Sequence, residues 1–470
     1  MITFKNFNYK YIESEQLNIE DLSLHIKKGE CVLFTGSSGC GKTTILRVVN
    51  GLAPEFFDGG YSGELKVAHL KIGDRLKEFS KIVGSVFQNP KNQFFNLDST
   101  SELAFSMENY GYSREDIAKR IKEVSIEFSA EHLLNRDILE LSGGEKQKLA
   151  FMASMMLDAD VYVLDEISSN LDLKSIQLIS SIIETLKKKG KTIVVAEHRL
   201  WYLMDIADRV IFMENGRLIR DMGINEFAAL SENEIENMGL RARSLSDIKL
   251  AKADMDSEKK VFEVRDLTVK LGNKTILDDV SFRVSGGEIV AITGENGAGK
   301  TTLARALCGL NGEIGMVSLG GETLSSKRRR EGSYMVMQDV GHQLFTDSVD
   351  AECSLGVAKP IKENIDEVLT LLSLSKLKEK HPLSLSGGQK QRLAVAVSML
   401  CGKEILIFDE PTSGLDFDSM NVVGALIKRL AEEGKIIIII THDREFIQMI
   451  CSRVMVLESG KIRNSFKEDL

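Results

Sequence analysis

Residues Gly36–Thr44 read G-S-S-G-C-G-K-T-T, and this stretch decides the fold of the chain. It matches the phosphate-binding loop pattern G-x-x-x-x-G-K-[ST]. The apolar run Cys31–Phe34 before it predicts a buried strand, and Ile45–Val49 after it predicts a helix, which is the context that the motif requires. Glycines let backbone N–H groups approach phosphate oxygens, and the helix that begins at Lys42 directs its positive dipole end at the anion.

The loop is predicted to hold the phosphates of a nucleotide, with Lys42 reaching the β- and γ-phosphates and the Thr43 hydroxyl ligating Mg²⁺. The pattern returns as G-E-N-G-A-G-K-T-T after the strand-like run Ile289–Ile292. Two such loops indicate an internal duplication. The predicted phosphate-binding residues are Gly36, Ser37, Ser38, Gly39, Cys40, Gly41, Lys42, Thr43 and Thr44, and then Gly294, Glu295, Asn296, Gly297, Ala298, Gly299, Lys300, Thr301 and Thr302.

Composition and charge indicate a globular chain of two large units. The net charge of −9 gives no general attraction to nucleic acid or to anionic membranes. The six cysteines are scattered without a C-x-x-C pair, which suits a reducing compartment. The N-terminus lacks a signal-peptide pattern, and the apolar run Ile436–Ile440 is far shorter than the ~20 residues that span a bilayer. We therefore expect a soluble protein, with any membrane span supplied by a separate chain.

Two carboxylates, Asp165 and Glu166, directly follow the continuous apolar run Val161–Leu164. Such a run is typical of a central parallel strand, and carboxylates at its end are costly to bury without a role. Asp165 is predicted to hold the Mg²⁺ that Thr43 also touches, and Glu166 to polarise the attacking water. The alternative is a pair of helix-capping residues, which the upstream phosphate loop disfavours.

Polar residues follow two more predicted strands, Gln88 after Ile82–Phe87 and His198 after Thr192–Ala196. Polar residues at such strand ends commonly face the site of a parallel sheet. His198 is interpreted as a sensor of the γ-phosphate. The alternatives are a loop-capping glutamine and an ordinary surface or core histidine.

Two further features concern the nucleotide. Ser142 is a natural N-cap, and Gly143 and Gly144 leave the start of the following helix bare, so that it can bind an anion. Tyr11 lies in residues 2–35, where alternation predicts a short antiparallel sheet. Its ring is predicted either to stack on a base or, equally, to be a half-buried strand tyrosine.

The second half repeats these features in the same order and, for the later motifs, at identical spacing. The repeated residues are Gln338, Ser386, Gly387, Gly388, Asp409, Glu410 and His442. Residues 1–220 and 261–470 are therefore predicted as two domains, joined by a polar, partly helical linker over residues 221–260. The basic run Lys327–Arg330 is interpreted as a solvated face.

These motifs, in this order, resemble the ATP-binding cassette (ABC) ATPases over nearly the whole chain, and the Leu-Ser-Gly-Gly-Glu/Gln signature is specific to that family. The resemblance implies an α/β fold with two P-loop nucleotide-binding domains in tandem. Each domain would have a parallel-sheet core, an antiparallel β edge and a helical subdomain. The resemblance also implies ATP hydrolysis with Mg²⁺, by two cassettes that face each other head to tail around two ATP molecules.

Each implied site combines the phosphate loop of one domain with the signature of the other, so that Ser386, Gly387 and Gly388 complete the first site and Ser142, Gly143 and Gly144 the second. The implied catalytic residues are Glu166, Glu410, His198, His442, Gln88 and Gln338. The implied Mg²⁺ ligands are Thr43, Gln88, Asp165, Thr301, Gln338 and Asp409. Because both sites keep these residues, two competent sites are predicted.

Two departures from the family pattern stand out. Ile167-Ser168 replaces the Pro-Thr that the second half keeps as Pro411-Thr412. Leu271 stands where an aromatic counterpart of Tyr11 would be expected, so the second loop is predicted to hold adenine more loosely.

A finer resemblance concerns Phe87–Phe94, Met337–Phe345 and Ala196–Leu200, which are similar to stretches of the ATPases of energy-coupling factor (ECF) importers. Those importers bring vitamins or transition-metal ions into prokaryotic cells. The resemblance implies a peripheral protein on the cytoplasmic face of the membrane, with no nucleic acid among its partners. Its partners would be an integral membrane coupling protein, which would press near Gln88–Phe95 and Gln338–Phe345, and a small substrate-binding membrane protein.

Two alternatives stay open on the sequence. A ribosome-associated translation factor of the ABC-F type also has tandem cassettes, but the linker here is short and not strongly basic, which suits ribosomal RNA poorly. The tandem ATPase of a sugar importer usually carries one degenerate site, and no degenerate site is visible in this sequence.

Overall fold

Each half of the chain folds around its own phosphate loop. The computed structural model describes residues 1–169, 171–245, 260–357 and 362–464. The chain divides into two units, Met1–Ser244 and Leu245–Leu470. Within the described ranges, every helix is too short or too polar to cross a membrane. All six cysteines are free thiols, and five of them are buried.

The first unit contains two sheets. An antiparallel sheet has the order β2-β1-β4-β5, with β1 Ile2–Tyr11, β2 Ile19–Ile26, β4 Gly59–Val67 and β5 Leu70–Lys71. A six-stranded sheet has the order β10-β9-β3-β8-β7-β6, with β3 Cys31–Gly36, β6 Val83–Val86, β7 Val161–Asp165, β8 Thr192–Ala196, β9 Arg209–Glu214 and β10 Arg217–Gly223. Its strands pair in parallel except for β10, which pairs antiparallel with β9.

The helices of the first unit follow the predicted order. They are α1 Lys42–Val49, α2 Leu52–Glu55, α3 Leu76–Ile82, α4 Ser99–Asn109, α5 Arg114–Glu127, α6 Gly143–Met155, α7 Leu173–Lys188, α8 Ile224–Ala228 and α9 Glu232–Asn237. Ser113 caps α5, because its hydroxyl accepts the Asp116 N–H at 3.1 Å. Helices α4 to α6 form the helical part of the unit between β6 and β7.

The six-stranded sheet is buried on both faces, as the continuous apolar runs predicted. Along β3, Cys31 and Leu33 join the core that packs with α4 to α7, whereas Val32 and Phe34 join the core shared with the antiparallel sheet and α1. This alternation is the period of two that a strand imposes on its side chains. The carboxyl ends of β3, β6, β7 and β8 therefore meet at one edge of the sheet.

The second unit repeats this architecture. Its strands are β11 Val261–Leu271, β12 Lys274–Ser285, β13 Ile289–Thr293, β14 Glu313–Leu319, β15 Glu322–Thr323, β16 Ser333–Val336, β17 Ile405–Asp409, β18 Ile436–Ile440, β19 Arg453–Glu458 and β20 Lys461–Asn464. Its helices are α10 Lys300–Leu307, α11 Ser326–Gly332, α12 Val349–Ser354, α13 Lys362–Leu371, α14 Gly387–Leu400, α15 Phe417–Glu432 and α16 Arg444–Ile450. The sheet orders β12-β11-β14-β15 and β16-β17-β18-β13-β19-β20 match those of the first unit.

The first part of the predicted linker is folded onto the first unit. Phe227 in α8 and Ile235 in α9 are buried in its core. The Arg243 guanidinium donates to the carbonyl oxygens of Phe227 and Ala228, both at 2.9 Å, and so fastens the segment. Residues 246–259 of the predicted linker lie outside the described residues.

The basic run Lys327–Arg330 is only partly solvated, so the interpretation as a solvated face is wrong for Arg329. Arg329 is 3% exposed and forms an ion pair with the buried Glu313. It also donates to the carbonyl of Ala306 at 2.6 Å. Arg330 donates to the carbonyl of Gly309 at 2.7 Å. The run packs α11 against the end of α10, a tertiary contact that a local charge pattern does not reveal.

Candidate nucleotide-binding sites

Both phosphate loops need glycine at their first position. Gly36 has φ +143°, and a Cβ there would lie 2.2 Å from the carbonyl oxygen of Met213. Gly294 has φ +148°, and a Cβ there would lie 2.2 Å from the carbonyl oxygen of Leu457. At this glycine, each loop therefore packs so closely against the backbone of the neighbouring strand that no side chain fits. Without a Cβ at this position, the loop backbone can approach an anion closely.

A lysine at the start of the following helix is folded back over each loop. The Lys42 ammonium donates to the carbonyl oxygens of Gly36 at 2.9 Å and Ser37 at 3.0 Å. The Lys300 ammonium does the same to Gly294 at 2.7 Å and Glu295 at 2.9 Å. Both lysines are at least nine-tenths buried. Each positive charge therefore stands inside the curve of the loop, where the anionic phosphates of a nucleotide are predicted to lie.

A hydroxyl and a carboxylate meet beside each loop. The Thr43 hydroxyl donates to Asp165 Oδ1 at 3.1 Å, and the Thr301 hydroxyl donates to Asp409 Oδ2 at 2.9 Å. Burial, with the Glu166 carboxylate next to it, raises the pKa of Asp165 to about 7. Burial also raises the pKa of Asp409, although the Thr301 hydrogen bond opposes the rise.

The two hydroxyl–carboxylate pairs fit Mg²⁺. The ion prefers oxygen ligands, and a buried carboxylate that is costly to ionise gains most from a neighbouring cation. Thr43 with Asp165, and Thr301 with Asp409, would hold the ion. Bound there, Mg²⁺ neutralises charge that develops on phosphate oxygens.

The predicted catalytic glutamates share an unusual backbone conformation. Glu166 has φ +45° and Glu410 has φ +50°, in the left-handed region that residues other than glycine rarely adopt. Each is fixed by a backbone hydrogen bond to the next strand, from Glu166 to Ala196 and from Glu410 to Ile440, both at 2.8 Å. Such strain is characteristic of functional sites, and here it turns the carboxylate out of the strand end.

Glu166 is brought together with the two other predicted catalytic residues of its unit. Gln88 Nε2 donates to Glu166 Oε2 at 2.8 Å. His198 Nε2 lies 3.2 Å from Glu166 Oε1. The carboxylate can accept a proton from a water molecule, while the Gln88 amide holds its orientation.

Glu410 lies beside the predicted histidine of its unit and beside Thr441. His442 Nε2 lies 3.8 Å from Glu410 Oε1, and the Thr441 hydroxyl donates to Glu410 Oε2 at 3.0 Å. Gln338 follows β16, as Gln88 follows β6. The two sites therefore share their residue types, and the second predicted base receives a hydroxyl donor from Thr441.

The aromatic residues at the predicted base end of the first site form a cluster. The Tyr11 ring packs edge-on against Tyr9, with ring centroids 5.0 Å apart, and its hydroxyl accepts from Arg47 at 3.2 Å. The Arg47 guanidinium lies 3.9 Å over the ring of Phe57. The matching strand end in the second unit carries Leu271, whose side chain is 54% exposed. Stacking of adenine on Tyr11 stays a prediction.

The signature residues lie at helix starts, as predicted, and Ser142, Gly143, Ser386 and Gly387 are exposed there. Ser142 caps α6 with a capping box, in which its hydroxyl accepts from the Glu145 N–H at 3.3 Å and the Glu145 carboxylate accepts from the Ser142 N–H at 2.8 Å. Ser386 and Gln389 form the same box at α14. With caps made locally, the glycine-bearing helix starts remain open toward solvent.

Three residues that sequence reasoning did not single out belong to these sites. Thr441 contacts Glu410, Glu197 accepts the His198 N–H at 2.9 Å, and Arg47 contacts Tyr11 at 3.2 Å. A comparison of the residues that precede the two predicted histidines, Glu197 and Thr441, would have drawn attention to the first two. Arg47 carries no such signal, because it lies on a helix after the loop.

Comparison with known proteins gives the following similarities. A sequence model of the ABC transporter family matches residues 19–169 and 277–413. A Treponema denticola protein named as an ABC transporter ATP-binding protein is 56% identical, over 98% of this chain and 96% of its own length. A Methanosarcina mazei protein of the same name is 33% identical, over 100% and 97%.

Solved structures agree on the fold. A structure titled RNase-L Inhibitor has a TM-score of 0.67 at 23% identity, and the match covers 97% of this chain and 90% of that chain. An archaeal ribosome recycling factor, aABCE1, in complex with stalk protein aP1, has a TM-score of 0.64 at 22% identity, over 94% and 87%. At such identities the likeness concerns architecture alone.

Proposed function

Because the chain belongs to the ABC transporter family and is an ATPase with two ATP-binding cassettes, we propose that it is the energy-coupling subunit of an ECF-type importer. In this role, two ATP molecules close the cassettes, and hydrolysis releases them. The movement drives a separate membrane protein, and a small membrane protein binds the vitamin or transition-metal ion. ABC ATPases generally pair with membrane proteins, and this general pairing supports the proposal of a membrane partner.

The observation that carries the proposal is a pair of matched, exposed phenylalanines. Phe95 is 76% exposed and Phe345 is 75% exposed, each seven residues after a predicted catalytic glutamine, Gln88 or Gln338. Leu97 and Leu139, both more than half exposed, extend the apolar surface of the first unit. Exposed apolar side chains repeated at equivalent positions of both units favour a protein partner.

The segment that carries each phenylalanine is built rigidly onto its unit. The Glu102 carboxylate accepts the N–H groups of Phe95 at 2.9 Å and Asn96 at 2.8 Å, and the Glu352 carboxylate accepts those of Phe345 and Thr346, both at 2.9 Å. Both glutamates are buried. A carboxylate buried to fasten a loop keeps the exposed ring in a fixed position.

The same segment leads to the chemistry. The Gln93 amide oxygen accepts the Phe87 N–H at 3.1 Å and closes the segment on itself, next to Gln88. Gln88 in turn donates to Glu166 at 2.8 Å. A partner that pushes on Phe95 therefore acts on the orientation of the predicted base, which is the coupling that an energy-coupling subunit requires.

Each ATP site is proposed to be completed across the two cassettes. The open start of α14 would face the γ-phosphate at the first loop, and that of α6 the γ-phosphate at the second. The helix dipole and bare N–H groups suit an anion there. Neither unit would then enclose its own nucleotide, so ATP would stabilise the closed state by mass action.

The test is a tagged full-length chain purified from detergent-solubilised cells, with co-purifying proteins identified by mass spectrometry. We expect small integral membrane proteins to co-purify with the wild-type chain. The double variant Phe95→Glu/Phe345→Glu should lose them. The control Ile219→Glu, at a 47%-exposed position on β10, should keep them.

Two outcomes would contradict the proposal. Ribosomal proteins without any membrane protein in the eluate would favour a translation factor. Membrane proteins that stay bound to the Phe95→Glu/Phe345→Glu variant would remove the observation on which the docking surface rests.

A further inference from the structure

The residue before the predicted histidine differs between the two units, both in type and in the hydrogen bonds that it makes. In the second unit this residue is Thr441, which follows β18 and is fully buried. Its hydroxyl oxygen accepts the Asp443 N–H at 3.1 Å and donates its own proton to Glu410 Oε2 at 3.0 Å. Since the incoming N–H occupies a lone pair of the oxygen, the hydroxyl proton is free to point at the carboxylate.

A second buried bond holds this arrangement in place. The Thr412 hydroxyl donates to Asp443 Oδ2 at 2.8 Å, and the same carboxylate accepts the Phe446 N–H at 3.3 Å. Thr412 is fully buried and Asp443 is 3% exposed. Asp443 thus joins the loop after Glu410 to the start of α16 and presents its N–H to Thr441.

In the first unit the matching residue is Glu197. The equivalence is structural, because Asp165 pairs with Ala196 and Asp409 pairs with Ile440, the residues just before Glu197 and Thr441. The Glu197 carboxylate accepts the Ser168 N–H at 3.0 Å, the His198 N–H at 2.9 Å and the Tyr202 hydroxyl at 2.8 Å.

The two residues are chemically opposite. A carboxylate that accepts three donors offers no proton to a neighbouring glutamate, whereas a threonine hydroxyl does. Glu197 is 2% exposed, and its bonds fasten the loop after Glu166 and the backbone of His198.

We propose that Thr441 is a positioning residue that orients the base Glu410, and that Glu197 at the matching position instead positions His198. The inference rests on the family's ATP hydrolysis and on the predicted role of Glu410, and it needs no membrane partner.

The experiment measures kcat and KM for ATP with the purified full-length chain. Thr441→Val removes the hydroxyl at nearly constant volume. In a Glu166→Gln background, where turnover reports the second site, we expect kcat to fall about tenfold, because a misplaced base loses its alignment with water, and KM to change less than about twofold. Thr441→Ser keeps a hydroxyl and should restore most of kcat.

A second set of variants distinguishes a positioning role of Thr441 from a purely structural role. In a chain with Glu410→Gln the predicted base is absent. The double variant Glu410→Gln/Thr441→Val should therefore show no further loss of the residual turnover. Thr412→Val removes a buried hydroxyl from the same network without touching Glu410, and it should lower kcat less than Thr441→Val at a similar thermal melting temperature.

Each remaining outcome decides against the proposal. An equal fold loss from Thr441→Val with and without Glu410, or equal losses from Thr441→Val and Thr412→Val, would assign Thr441 a structural role only. A wild-type kcat in Thr441→Val would also overturn it. A wild-type rate of ATP turnover in the Glu410→Gln single variant would instead refute the predicted role of Glu410 as a base. This measurement is separate from those on the Thr441 variants.

Discussion

At the scale of single residues, the sites depend on backbone conformations that most side chains avoid. The left-handed φ of Glu166 and Glu410 costs about 1–3 kcal/mol each, and it recurs in both units. Glycine would relieve this strain but would remove the carboxylate. Its presence at both predicted bases therefore supports a chemical role that the sequence could suggest only from residue type.

A substitution at Gly36, the first glycine of the first phosphate loop, tests whether the close backbone contact with Met213 matters for stability. Gly36→Ala should lower the melting temperature of the nucleotide-free protein, because its Cβ would lie 2.2 Å from a backbone oxygen that cannot move aside cheaply. We expect a loss of about 2 kcal/mol or more, measured by thermal unfolding.

Gly39→Ala is the matched control for Gly36→Ala. Gly39 also has positive φ, +81°, but its Cβ would meet no atom within 4 Å. The substitution should cost only the conformational strain, about 1 kcal/mol. Equal losses in the two variants would show that close approach to Met213 is unimportant.

The buried Asp165 predicts a pH dependence of stability. Its pKa of about 7 in the folded state lies above the value of about 4 in the unfolded chain. Between these values the folded state keeps a proton that the unfolded state has lost, so raising the pH favours unfolding. This group therefore lowers stability as pH rises from about 4 to about 7, and not beyond.

Asp165→Asn lacks this contribution. Without nucleotide or metal, the variant should gain stability relative to wild type between pH 4 and pH 8, by a difference on the order of 2 kcal/mol. Thermal unfolding across this range measures it, and Mg²⁺ should reduce the gap by stabilising the ionised carboxylate. A gap that does not change with pH would contradict the account.

At the scale of elements, sequence periodicity and motifs gave most strands and helices near the sites. Continuous apolar runs predicted β3, β7 and β8, and Ser142 predicted the start of α6. Their success has a physical cause, since burial on both faces and helix caps are local properties of the chain.

Contacts between elements that lie far apart in sequence were less accessible. The contact between Thr43 and Asp165 could be predicted, because Thr43 follows the phosphate loop at the start of α1 and Asp165 ends strand β7. The hydroxyl of Thr441 on Glu410 and the guanidinium of Arg47 on Phe57 depend on side-chain rotamers and on tertiary packing. No local pattern encodes these.

The α11 helix provides a test of one such contact. Arg329→Met should destabilise the second unit by about 3 kcal/mol, because it leaves the buried Glu313 carboxylate without its cation. Thermal unfolding measures the loss. Arg328→Met, whose ion pair with Glu322 is more than half exposed, should cost about 1 kcal/mol or less. Equal effects would contradict the burial argument.

At the scale of the whole molecule, the duplication preserves the architecture and changes the details. Sheet order, loop conformation, lysine contacts and hydroxyl–carboxylate pairs are the same in both units. The base end, with Tyr11 against Leu271, and the residue before the histidine, with Glu197 against Thr441, differ. Both units keep a strained glutamate beside a histidine, so the account predicts that both sites hydrolyse ATP.

The most direct test of this central claim is ATP turnover by the purified chain carrying Glu166→Gln alone or Glu410→Gln alone. Glutamine keeps the size of the side chain and removes its basicity, and a lost general base costs about a hundredfold or more at its own site. Each single variant should therefore lose the turnover of its own site, which is about half of the wild-type rate if the sites act independently and more if they are coupled. A near-wild-type rate in either variant would contradict the account, because one site would then contribute nothing to hydrolysis.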